Sequence, residues 1–173
     1  MSLSTRAIAA IGAVVVIGAG TVGGSIAYAS SQGKPPERQV TLTVGTDTVR
    51  ATPFCYNNGK AIPQDALAKC QVDAKAAREK DSLPKLDVVS SDRIGVGVPT
   101  EVADNGWFSF TDGGSQGQAP LAQDVRGSTW SGSVLASTVL NSSGTTTVTV
   151  VEANQKSQEI LGIWYFDLNT KDK

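Results

Sequence analysis

Apolar and polar residues alternate with a period of two along much of this chain. Val40, Leu42 and Val44 are interleaved with Thr41 and Thr43, the mark of a strand with one buried face. Gly45-Thr46-Asp47 turns the chain, and Thr48–Cys55 reads as a returning strand whose Pro53 places it at an edge or marks its end. Ile94, Val96 and Val98 alternate next, then Trp107–Phe110 follows the turn signal Asp104-Asn105-Gly106. Val134–Leu140 and the β-branched run Thr145–Val151 are further strands. Ile160–Leu168 is apolar on both faces and is expected at the centre of a sheet. Leu86–Val89 is an eighth candidate. Short strands separated by turn signals predict a mainly β protein, a β-sandwich of seven or eight strands.

One segment breaks the period. Pro63–Lys80 holds no glycine, and Leu67, Cys70, Ala74 and Ala77 recur at helical spacing. It predicts one amphipathic helix lying across the sandwich, with Pro63 suited to its first turn and Pro84 beyond its end. Asp112–Ser133 is polar and glycine-rich and reads as a mobile loop, with Trp130 as a short strand or an anchoring side chain.

The N-terminus has a different character. Ala7–Ala29 is 23 residues without a charge, preceded by Arg6. That length predicts a hydrophobic helix able to span a bilayer. Ala27-Tyr28-Ala29 also has the small-x-small form of a signal cleavage site. Residues 1–29 are therefore expected to be a membrane anchor or a signal peptide cleaved after Ala29, residues 30–38 a linker, and residues 39–173 a domain outside the membrane. Gly18, Gly20 and Gly23 form a Gly-x-Gly-x-x-Gly pattern after an apolar run. The pattern lacks the second strand of a dinucleotide fold, because Gly33-Lys34-Pro35-Pro36 follows instead. No cofactor is implied.

Composition narrows the chemistry. There is no histidine, which excludes a Ser-His-Asp triad and His-ligated zinc or haem. A net charge of -1 offers no footprint for nucleic acid. Two cysteines are too few for an all-Cys zinc site, and on an exported domain they are expected to pair. A Cys55–Cys70 bridge would pin the helix to the sheet. Ser31/Lys34 and Ser82/Lys85 have Ser-x-x-Lys spacing, but the first pair lies in the linker and Pro84 interrupts the second. Glu101, Asp104 and Asp112 bracket Trp107, a grouping open to turn chemistry, calcium ligation or a carboxylate pair. Trp107, Trp130, Glu101 and Asp104 together form a candidate ligand surface. Trp107, Phe108, Phe110, Trp130, Trp164, Tyr165 and Phe166 hold most of the aromatic content, and their expected place is the sandwich core and strand-edge packing, with an exposed platform for a glycan or peptide as the alternative.

Val98-Pro99-Thr100-Glu101-Val102-Ala103-Asp104-Asn105-Gly106-Trp107, Val44-Gly45-Thr46-Asp47, the run Cys55-Tyr56-Asn57-Asn58-Gly59 and the closing Gly162-Ile163-Trp164 resemble an actinobacterial exported family, domain of unknown function 2771. The resemblance implies an envelope protein with an immunoglobulin-like sandwich, membrane-attached or secreted. It carries no activity and no site residues to transfer. Many relatives resemble lipoproteins, and this chain has no cysteine near Ala29 to accept a lipid. The functional expectation is a non-enzymatic interaction module that engages an envelope protein or cell-wall partner. A small-molecule or glycan-binding domain using Asp112–Ser133 is the second reading, and a carboxylate-based hydrolase the third.

Overall fold

The computed structural model describes residues 38–115, 117–154 and 156–171. The expected N-terminal helix and most of the linker lie outside the described residues. Among the described residues ten strands form two sheets that face each other across one core, so the sandwich expectation holds with more strands than the alternation revealed.

The smaller sheet contains β1 (Val40–Val44), β2 (Asp47–Ala51), β5 (Arg93–Gly97) and β8 (Val134–Leu135), in the order β2-β1-β5-β8. The larger contains β3 (Cys55–Tyr56), β4 (Lys85–Val88), β6 (Trp107–Thr111), β7 (Ala119–Val125), β9 (Thr145–Ala153) and β10 (Ile160–Thr170). Its path runs β3-β10-β9-β6-β7, and β4 also pairs with β10, in parallel. All other pairings are antiparallel. β10 is central, as its two apolar faces require.

The inward residues follow the period of two. Val40, Leu42, Val44, Ile94 and Val96 from the small sheet meet Trp107, Val148, Val150, Trp164, Phe166 and Leu168 from the large one. A second, smaller cluster lies on the outside of the large sheet. There α1 (Gln64–Glu79) contributes Cys70, which is disulfide-bonded to Cys55 of β3 with Cα atoms 6.2 Å apart. Ile62, Val151 and Ile163 complete that cluster. The helix packs on the sheet and the Cys55–Cys70 bridge pins it there, as expected. Arg78, in the last turn of α1, forms a 2.7 Å ion pair with Asp112 and donates to the Thr145 carbonyl, which fastens the other end of the helix.

Four local expectations need correction. Thr48–Cys55 is not one strand: Pro53 lies between β2 and β3, which belong to different sheets, because proline cannot continue a ladder. Asp112–Ser133 is not simply a loop, since Ala119–Val125 is β7, the end strand of the large sheet. Val134–Leu140 is a strand only to Leu135 and then a 3-10 turn, Ala136–Thr138, whose Ala136 is buried in the core. Thr100–Asn105 is a short helix, α2, where a turn was expected. Pro99 sets its N-cap in an extended conformation, and Gly106 ends it with φ 109.

Candidate functional site

β6 alternates strictly: Trp107, Ser109 and Thr111 point into the sandwich, so Phe108 and Phe110 must point out. Their rings lie in nearly parallel planes with centroids 6.2 Å apart. They border the disulfide cluster and extend its apolar surface toward β7. Two adjoining depressions meet at Phe108 and Asp124. The first, about 420 Å³, runs over Phe108 and Phe110 beside Gln118, Pro120 and Gln123. The second, about 620 Å³, continues to Asn154, Gln158 and Ile160. The result is an open groove with an aromatic floor and carboxamide side chains along its sides, set against the last strand of the sheet. Such a surface favours an extended ligand that presents both apolar and hydrogen-bonding groups.

The four residues of the expected ligand surface do not come together as one site. Trp107 is 1% exposed, and its indole N–H donates to the Ser128 carbonyl at 2.9 Å. It is a core residue, as the packing expectation had it, and its inward register on β6 removes it from the candidate ligand surface. Glu101 and Asp104 are exposed on α2. Trp130 is exposed on the small sheet, bridged to Gly97. Phe108 and Phe110 shared the core and platform expectations with Trp107, and parity on β6 separates them from it onto the outward face.

The buried charges serve the scaffold. Glu152 on β9 is fully buried. It pairs with Arg38 and accepts a hydrogen bond from Asn105 Nδ2 at 2.6 Å. The Arg38 guanidinium also lies 4.9 Å from the Tyr56 ring centroid, and its carbonyl accepts from the Trp164 indole at 3.1 Å. Burial works against the Arg38 charge, but the bond and charge of Glu152 outweigh it, so its pKa is raised above the ordinary value. Asp167, beneath the end of α1, is held above the usual carboxylate range chiefly by burial. The Thr147 hydroxyl, which donates to it at 2.8 Å, and the Arg78 charge act in the opposite direction. Among the described residues no group of three or more His, Cys, Asp or Glu is arranged to hold a metal ion.

No family model, curated protein or solved structure matches the chain.

Proposed function

We propose that this protein is a non-enzymatic extracytoplasmic binding module, tethered by its apolar N-terminal segment or released after Ala29, which holds an extended peptide segment of an envelope partner against Phe108 and Phe110. The aromatic groove at the end of the large sheet is the observation that carries the reading. Three features support the compartment: the uncharged stretch Ala7–Ala29, a disulfide suited to an oxidising space, and the motif resemblance to exported envelope proteins. A glycan in the same groove is the second reading, supported by the carboxamides of Gln118, Gln123, Asn154 and Gln158.

The test is hydrogen exchange on the full chain in detergent. A partner captured from membrane extracts is added back, and the amides of β6 and β7 are followed. Protection of those strands by the partner, lost at least tenfold in affinity in Phe108→Ser, is expected. Protection by neutral oligosaccharides instead would select the second reading. Turnover of a sugar or peptide substrate by the same chain would overturn a purely binding role.

A further inference from the structure

The outer face of the small sheet carries a different constellation. Ile94 and Val96 of β5 point into the core, so Gly95 and Gly97 face outward. Trp130 lies over both: a Cβ on Gly95 would run into its six-membered ring, and one on Gly97 would sit 3.7 Å from it. The two glycines make a flat seat, and the ring that occupies it remains 44% exposed. The segment around it is held in strand-like fashion. Val98 N–H donates to the Thr129 carbonyl, Ser131 N–H to the Val96 carbonyl, and Val96 N–H to Ser131 Oγ. The Trp130 N–H donates to Ser128 Oγ. The ring is therefore placed before any ligand arrives.

Among the described residues, the charged side chains at outward strand positions of this sheet are Arg50 and Arg93. Thr41 pairs with Gly97 on one side and with Arg50 on the other. Arg50 thus lies two strands from the seat, about 10 Å at ordinary strand spacing. Arg93 is two residues before Gly95, about 7 Å along the strand. Its Nε and Nη2 donate to the Ser133 hydroxyl and carbonyl, which holds the guanidinium beside the Trp130 segment. Both arginines are exposed, and neither pairs with a carboxylate among the described residues. The outward positions of β1 between them are the threonines Thr41 and Thr43.

We propose that this face binds a carboxylated polysaccharide, with one sugar ring stacked on Trp130 and acid groups along the polymer paired with Arg93 and Arg50. An aromatic ring offers a flat apolar surface to the C–H face of a sugar. Isolated guanidinium groups match singly charged carboxylates in a bidentate fashion. The two cations are spread along the sheet and do not converge on one point, which suits charges repeated along a chain better than a single phosphate.

The experiment uses the full chain in detergent and affinity electrophoresis through gels containing polygalacturonate, its methyl ester, or dextran. Retardation by polygalacturonate is expected, at least tenfold stronger than by the ester or dextran and weakened by salt. Trp130→Ala should lose tenfold or more, Trp130→Phe less. Arg50→Gln, an exposed change that the fold tolerates, should lose three- to fivefold and show a shallower salt dependence. Equal retardation by the ester, wild-type behaviour of both Trp130→Ala and Arg50→Gln, no retardation at all, or retardation only by a phosphate-bearing polymer would each overturn the proposal.

Discussion

Replacing Arg38 by Met removes the one cation that, among the described residues, pairs with the buried Glu152 carboxylate. Glu152 is 0% exposed and the Arg38 side chain 16%, so the pair behaves as a buried one. Breaking such a pair from one side leaves an uncompensated charge and costs about 3–5 kcal/mol. The Asn105 amide would remain on Oε1, and one neutral donor does not replace a guanidinium. At about 4 °C per kcal/mol for a unit of this size, the midpoint of thermal unfolding should fall by about 12–20 °C. Glu152→Gln alone should cost less, because it leaves the cation at the better-solvated end. The double variant Arg38→Met with Glu152→Leu should recover most of the loss, since a buried ion pair is worth little against well-packed apolar groups. Calorimetry on the parent, Arg38→Met, Glu152→Leu and the double variant, which together close a cycle, isolates the coupling. A loss under about 1 kcal/mol in Arg38→Met, the value of a solvent-exposed pair, would refute the reading of Arg38 and Glu152 as a buried pair. A chain beginning at Gln39 keeps every described strand but loses both this pair and the Arg38 carbonyl that accepts from the Trp164 indole.

Reduction of Cys55–Cys70 removes a closure spanning 15 residues and should cost about 3 kcal/mol; intact mass before and after reductant, with thermal melts of both forms, checks it. Asp167→Asn should stabilise the protein at neutral pH. The folded Asp167 pKa is raised, so its contribution is fully present at low pH and is lost as pH rises from the ordinary carboxylate range through the folded value. The advantage of Asn should accordingly vanish on acidification, which melts across a pH series would reveal, and a pH-independent difference would contradict it. Gly95→Val should expel Trp130 from its seat, seen as a red shift in tryptophan emission with Trp107 and Trp164 still buried.

Much of the architecture is local in origin and was legible in the chain. The alternation in Val40–Val44 placed β1, the two apolar faces of Ile160–Leu168 placed the central strand, and the spacing of Leu67, Cys70 and Ala74 placed the helix and its disulfide. Each of these signals is written within a dozen or so residues, where backbone period and side-chain burial are directly coupled. β7 was illegible because Ala119–Val125 carries a proline and polar residues, and its strand state comes from pairing with β6. For Trp107 the sequence left both the core and a ligand surface open, and the register of β6 against β9 decides it, turning Trp107 inward and sending Phe108 and Phe110 out. Arg38 and Glu152 are 114 positions apart, and nothing in either neighbourhood announces the other. Short-range patterning decides which segments are strands and helices. Which faces meet, which aromatics stay wet and which charges are sealed together is decided only when distant strands pair, because burial is a property of the assembled sheets.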